Sequence, residues 1–237
     1  MGSNSFTFKQ FTIRQDQCAM KVGTDGVLLG AWTNSSGAKN ILDIGTGTGL
    51  IALILAQREP NASIEAIEIE ANAAKQASEN VAHSPFSAQI TVQHLSLNTY
   101  IQTKPCFDLI VSNPPFFKNS LKAPDKSRSL ARHNDELSLE LLFHSGKKLL
   151  NPQGKMALIL PTEQEEESIQ TAAFHQLYPT RILHVFPTPD KTAKRVCLEF
   201  STAKQEAHRE VLIIEKYGRH QYSEEYIALT KDFYLKF

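Results

Sequence analysis

Residues 42–50 read Leu-Asp-Ile-Gly-Thr-Gly-Thr-Gly-Leu. Three glycines, Gly45, Gly47 and Gly49, stand between an apolar run, Asn40–Ile44, and an apolar stretch without Pro, Gly49–Gln57. The first run reads as a buried strand and the second as a helix. Glycine at such a junction lets the chain turn tightly and lets a ligand approach the backbone. The helix N-terminus behind it offers unpaired N–H groups to a carboxylate or phosphate. A dinucleotide fingerprint, G-x-G-x-x-G, would need its third glycine at position 50, which is Leu50. A phosphate-cradling P-loop is excluded, because no Gly-Lys-Ser/Thr follows.

Working outward, the pattern of short apolar run and helical stretch repeats. Ser63–Ile69 reads as the next strand and Ala71–Val81 as the next helix. Ile90–His94, Phe107–Ser112 and Lys155–Leu160 are further strands, and Ser138–Leu150 is a helix stopping near Asn151-Pro152. Pro161-Thr162 opens another helix running to about His175. This alternation implies an α/β fold, a mostly parallel sheet with helices on both faces. Arg181–Phe186 and Val196–Ser201, joined by Pro187–Arg195, are expected to form an antiparallel hairpin at the sheet edge. Val211–Glu215 adds a short strand, Ser223–Thr230 a closing helix, and Phe6–Arg14 a short hairpin. Nothing in the composition forces a domain boundary, so 1–237 reads as one domain: an N-terminal extension, 1–39, and a core, 40–237.

If the glycine turn binds a nucleoside, an acid should close the second strand about 20 residues on, where a carboxylate accepts both ribose hydroxyls. Glu68 and Glu70 compete for that place, and the apolar residues before Glu68 favour it as the strand-end residue. Asp43-x-Gly45-x-Gly47-x-Gly49 resembles the signature of Rossmann-like methyltransferases that use S-adenosylmethionine (SAM) and release S-adenosylhomocysteine. The resemblance implies a seven-stranded sheet with an antiparallel edge hairpin. It also implies a cofactor-binding set of Asp43, Gly45, Thr46, Gly47, Thr48, Gly49 and Glu68. The family's adenine contact is an acid after strand three, and Ser96 stands there in this chain.

The second motif follows strand Phe107–Ser112 directly: Asn113-Pro114-Pro115-Phe116. Two prolines fix the backbone and remove two N–H donors, leaving a rigid, carbonyl-rich loop at the ligand-binding edge of a parallel sheet. The lone pair of an exocyclic amine or amide nitrogen is delocalised and weakly nucleophilic. The Asn113 side-chain oxygen and the Pro114 carbonyl can accept its hydrogens and favour a pyramidal nitrogen, which is catalysis by positioning and preorganised electrostatics. Phe116 offers a face for stacking. Asn113, Pro114, Pro115 and Phe116 are therefore the catalytic candidates.

Amino-methyltransferases with this tetrapeptide act on DNA bases, RNA bases or release-factor glutamine. Residues Phe8–Phe11, Gln15–Trp32, Lys194–Phe200, Tyr222–Tyr226 and Asp232–Leu235 closely resemble the bacterial tRNA1(Val) adenine N6-methyltransferases, and the resemblance spans essentially the whole chain. It implies methyl transfer to the adenosine 3′ of the anticodon, a tRNA partner engaged at its anticodon loop, and Thr24 and Asp25 near the cofactor. Without that resemblance, Thr24 and Asp25 read as N-caps of a helix running through Trp32. Phe117, Lys118, Lys122, Lys126, Arg128 and Arg132, set against Asp125 alone, suit an RNA backbone beside the tetrapeptide. Lys191, Lys194 and Arg195 form a smaller cluster. The alternatives are another nucleic-acid adenine N6-methyltransferase and a release-factor glutamine methyltransferase; the latter normally carries a helical domain ahead of the glycine turn, for which residues 1–39 leave little room.

Composition bounds these readings. The chain has 237 residues, 41% hydrophobic and 21% charged, so it needs no disulfide or metal to hold a core. Lys plus Arg equal Asp plus Glu at 25 each, which argues against indiscriminate polyanion binding while allowing a local basic face. Cys18, Cys106 and Cys197 are scattered, the eight histidines lack metal-ligand spacing, and no metal is expected. No secretory signal and no apolar run of membrane-spanning length is present, so cytoplasm is the expected location. No obligate protein partner is visible.

Overall fold

A computed structural model describes residues 4–18, 20–103, 106–115 and 137–236. Strands β1 (Ser5–Thr7) and β2 (Thr12–Arg14) form the expected N-terminal hairpin, followed by helix α1 (Thr24–Trp32). The alternating core is β3 (Asn40–Ile44), α2 (Leu50–Arg58), β4 (Ser63–Glu68), α3 (Ala71–Ala82), β5 (Ile90–His94), α4 (Leu97–Tyr100) and β6 (Phe107–Ser112). Helix α5 (Leu139–Leu149), β7 (Leu150–Pro161), α6 (Glu165–Phe174), β8 (Tyr178–Phe186), β9 (Arg195–Ser201) and β10 (His208–Ile213) follow. A small hairpin, β11 (Glu215–Gly218) and β12 (Gln221–Tyr222), precedes α7 (Glu224–Thr230).

The main sheet has eight strands in the order β10-β8-β9-β7-β6-β3-β4-β5. All neighbours are parallel except β7–β9 and β8–β9. Interior strands are apolar on both faces, because alternate side chains enter two separate cores. Ile41, Leu109, Val111 and Ile159 pack with α1, α2 and α7 on one face. Leu42, Ile44, Ile110 and Leu158 pack with α4 and α5 on the other. Helices α1 and α2 touch closely at Gly30, where a Cβ would lie 2.8 Å from Ile54.

Three details depart from the sequence expectation. The β8–β9 hairpin is antiparallel as expected, but β10 pairs parallel to β8 outside it and takes the edge as an eighth strand. Its first residues, His208, Arg209 and Glu210, look like loop, yet Glu210 is matched by Arg181 Nε at 3.0 Å and Trp32 Nε1 at 3.0 Å. Helix α5 passes straight into β7 at Leu150. A register shift between Phe107 and Leu109 absorbs Pro152, which cannot donate to a ladder. Helix α6 begins only after a 3-10 turn, Thr162–Gln164.

Candidate active site

The strand order reverses between β3 and β6: β4 and β5 extend to one side, β6 and β7 to the other. In an open parallel sheet the carboxyl edge at such a switch point is the ligand crevice. Ile44 and Ser112 are register partners, and Ser112 Oγ donates to the Ile44 carbonyl at 2.8 Å. The glycine turn and Asn113 are therefore the first residues beyond the same edge, on strands roughly 4.8 Å apart. The two motifs, distant in sequence, leave the sheet side by side.

All three glycines adopt left-handed backbone, with φ of 70°, 57° and 83° at Gly45, Gly47 and Gly49. A Cβ added at Gly47 would meet nothing within 4 Å, so glycine is needed there for conformation, and the space beside it is open. The Gly45 and Thr46 N–H groups donate to the Ile67 carbonyl at 2.9 and 3.1 Å, fixing the turn against β4. Asp43 is fully buried at the strand end; Thr46 Oγ1 donates to its Oδ2 at 2.6 Å, while its Oδ1 meets no well-formed donor among the described residues. Burial pushes the Asp43 carboxyl up to about 7, with the Thr46 hydroxyl and the Ala52 N–H opposing and the Glu68 charge adding. Thr48 is buried, and its carbonyl accepts from Asn80 Nδ2 at 2.9 Å.

The local structure separates Glu68 from Glu70. Glu70 caps α3, accepting from the Asn72 and Ala73 N–H groups. Glu68 closes β4 and faces the turn: Oε2 accepts the Gly47 N–H and Oε1 the Glu70 N–H, both at 2.9 Å. Each of its oxygens keeps a further lone pair for a donor such as a ribose hydroxyl. Ser96 caps α4, accepting from the Thr99 N–H at 3.2 Å. Near it the edge carries an apolar slot that sequence reasoning missed, lined by Gly45, Ile69, Leu95, Leu97, Asn98 and Leu137 among others. Its volume is about 40 Å³, far below the roughly 300–1,000 Å³ of common small-molecule sites. A planar base enters it only if side chains such as Ile69, half exposed, shift. The signal was available only as Asn98, two residues past Ser96.

Beyond β6, Asn113 is half-buried, Pro114 buried and Pro115 exposed. Asn113 Oδ1 is buried and has no hydrogen-bond donor among the described residues. A buried acceptor without a partner is costly, and it can receive an N–H that enters the crevice. Phe116 and the candidate RNA contacts Phe117, Lys118, Lys122, Lys126, Arg128 and Arg132 lie outside the described residues. Thr24 is exposed at the start of α1, and Asp25 Oδ2 accepts Arg195 Nε at 2.7 Å. The N-cap of α1 is Gly23 with no side-chain cap bond, so the capping expectation for Thr24 and Asp25 is corrected. Asp25 instead joins α1 to β9, which starts at this same sheet edge. Among the described residues no group of three His, Cys, Asp or Glu is placed to hold a metal, and no helix is long and apolar enough to cross a membrane.

Comparison with known proteins bears on this geometry. The family described as Methyltransferase small domain matches residues 20–181. A tRNA1(Val) (adenine(37)-N6)-methyltransferase from Parabacteroides distasonis is 52% identical over the full length of both chains. One from Trichodesmium erythraeum is 50% identical, again over both full lengths. Among solved structures, a predicted O-methyltransferase from Agrobacterium tumefaciens aligns with TM-score 0.70 at 19% identity, covering 88% of this chain and 96% of the other. The ribosomal protein L11 methylase of Lactobacillus delbrueckii subsp. bulgaricus gives 0.52 at 20% identity, covering 74% and 76%. These distant neighbours share the fold.

Proposed function

The chain belongs to the tRNA1(Val) (adenine(37)-N6)-methyltransferases, within the methyltransferase small-domain family, and from that premise we propose that it methylates N6 of the adenosine 3′ of the anticodon in tRNA1(Val), using SAM. The observation that carries the chemistry is the buried Asn113 Oδ1 beside the glycine turn, which has no hydrogen-bond donor among the described residues.

The residues present fit the cofactor. The open side of Gly47 and the N-terminus of α2 suit its methionine end and Glu68 its ribose hydroxyls, and the slot near Ser96 and Asn98 would take its base once side chains such as Ile69 shift. When bound, SAM supplies a methyl carbon made electrophilic by the neighbouring sulfonium. Asp43, Thr46 and Thr48 hold the turn in shape. Asn113 Oδ1 and the Pro114 carbonyl accept the two N6 hydrogens of the adenine, which draws the nitrogen lone pair out of the ring and toward the methyl group. The C–N bond would form as the S–CH3 bond breaks with S-adenosylhomocysteine as the leaving group, and the N6 held by Asn113 and Pro114 would then lose one proton to solvent. A sulfonium methyl needs no Lewis acid, so no metal is assigned a part. Pro115 stiffens the loop, and Phe116 stacks on the splayed base.

A base in an anticodon loop must leave its stack to reach Asn113. Phe117, Lys118, Lys122, Lys126, Arg128 and Arg132 are proposed to hold the flanking backbone, with Thr24 and Asp25 bordering the cofactor side. The protein acts as one domain in the cytoplasm. Labelled SAM offered in parallel to unmodified tRNA, rRNA, DNA and release factor tests the proposal. Label should enter tRNA, and exclusive labelling of another acceptor would overturn the substrate assignment.

A further inference from the structure

We propose that Gln76 and Asn80 of α3 are positioning residues for cofactor binding, fastening residues 14–18 as a wall of the nucleoside subsite. The proposal rests on the SAM reading above.

Ala73, Gln76, Ala77 and Asn80 fall on one face of α3 at helical spacing, and all four are buried. The alanines make room: a Cβ on Gly49 would stand 3.6 Å from Ala77, so the glycine turn lies directly against this face. The amides do something an apolar face cannot. Asn80 is 2% exposed; its Oδ1 accepts the Arg14 N–H, and its Nδ2 donates to the carbonyls of Arg14 and Thr48, all at 2.9 Å. One side chain thereby ties the end of β2 to the middle of the glycine turn. Gln76 is fully buried; its Oε1 accepts the Gln17 N–H at 3.0 Å, and its Nε2 donates to Asp16 Oδ1 at 2.7 Å. The Gln15 N–H pairs with the Asn4 carbonyl at 2.9 Å, and the two amides satisfy the Arg14 N–H and carbonyl and the Gln17 N–H on either side of it.

The fastened segment lies beside the acids of the candidate site. The Cys18 thiol is pushed up to about 11, chiefly by burial and next by the charges of Glu68, Glu70 and Asp16. Asn80 holds the Thr48 carbonyl, the Gly47 N–H donates to Glu68, and Glu70 caps α3, so the stretches 14–18, 45–49 and 68–70 are linked around this helix by hydrogen bonds. Truncating Gln76 or Asn80 frees the first of them while leaving Asn113, on the far side of β3, untouched. The defect belongs in cofactor affinity and not in turnover at saturating cofactor.

The three cysteines supply the test, because Cys18 is half-buried at the segment, Cys106 exposed and Cys197 buried. In wild-type protein, saturating S-adenosylhomocysteine should slow iodoacetamide alkylation of Cys18 severalfold, leave Cys106 unchanged, and find Cys197 unreactive. Gln76→Ala and Asn80→Ala should each raise the S-adenosylhomocysteine Kd about tenfold or more, with kcat at saturating SAM within about threefold of wild type. Gln76→Glu sets a second carboxylate against Asp16 and should weaken binding as well; adding Asp16→Asn restores a donor to that contact and should recover most of the affinity. This rescue, with the wild-type footprint, keeps the test decisive if an alanine variant fails to fold. Unchanged Kd in folded Gln76→Ala and Asn80→Ala, no rescue by Asp16→Asn, or Cys18 alkylation indifferent to S-adenosylhomocysteine would overturn the inference while the SAM reading stood. Absence of any S-adenosylhomocysteine or SAM binding by wild type would instead reject both.

Discussion

Asn113→Ala should uncouple activity from stability. Asn113 Oδ1 is buried with no donor among the described residues, and an acceptor left so costs about 1–3 kcal/mol in lost hydration. Deleting it removes that cost, while the half-buried position loses only modest packing. Unfolding free energy should therefore stay within about 1 kcal/mol of wild type, or rise. Catalysis should respond in the opposite sense. Losing one preorganised polar group aimed at developing charge costs about 2.7–4 kcal/mol, which predicts a fall in kcat on the order of 10²–10³. Cofactor affinity should hold, because the glycine turn and Glu68 lie across β3 from the substituted side chain. Urea unfolding, SAM calorimetry and single-turnover methylation of tRNA measure the three quantities separately. Near-wild-type turnover would refute the role of Asn113. A stability loss of several kcal/mol alongside lost turnover would make the residue structural.

Glu68→Ala removes a charged acceptor for the ribose and should weaken SAM binding by about 1.5–3 kcal/mol; unchanged affinity by calorimetry would move the ribose contact elsewhere. Gly47→Ala meets no clash but places a side chain at a φ of 57°, so it should cost about 1–2 kcal/mol in urea unfolding and lower SAM affinity further by filling the open side of the turn. Asp43 gives a pH signature: the folded carboxyl holds its proton to about 7 and the unfolded one releases it near 3.8, so stability should fall as pH rises through that window. Asp43→Asn should lack that slope and gain up to a few kcal/mol over wild type at pH 8, as read by unfolding at several pH values. Reversing Lys122, Lys126 and Arg128 to Glu should raise the tRNA Kd and reduce the log–log salt slope by roughly 0.7–0.9 per lost phosphate contact, with SAM binding unchanged; an unaltered slope would release that segment from RNA contact.

The parts of the fold that the sequence announced share one physical cause. Strands β3 and β6 have the bounds read from the chain, because apolar runs ending in turn residues mark interior parallel strands; β5, at the sheet edge, also keeps its bounds, through the alternating Ile90 and Val92. The glycine turn and Asn113-Pro114-Pro115 were legible for the same reason, since each follows such a strand without a gap. Strand β10 was only partly legible: its polar start is supported by Arg181 and Trp32, partners 29 and 178 residues away. The absorption of Pro152 into β7 depends on register, which no local pattern encodes. Gln76 and Asn80 look like ordinary helix residues in an Ala-rich stretch, and their partners come from residues 14–17 and 48. Asp25 was singled out, but its pairing with Arg195 spans 170 positions. Short-range signals located the edges of the site, whereas long-range polar contacts, invisible to hydropathy, fix its walls.

The most direct test of the central claim is nucleoside and fragment mass spectrometry on unmodified tRNA1(Val) after reaction with SAM and the wild-type protein. The account predicts one added methyl group, recovered as N6-methyladenosine and mapped to the adenosine immediately 3′ of the anticodon, with Asn113→Ala giving at most a trace in the same time. A methyl group on another base, or none on tRNA while release-factor glutamine is methylated, would contradict it.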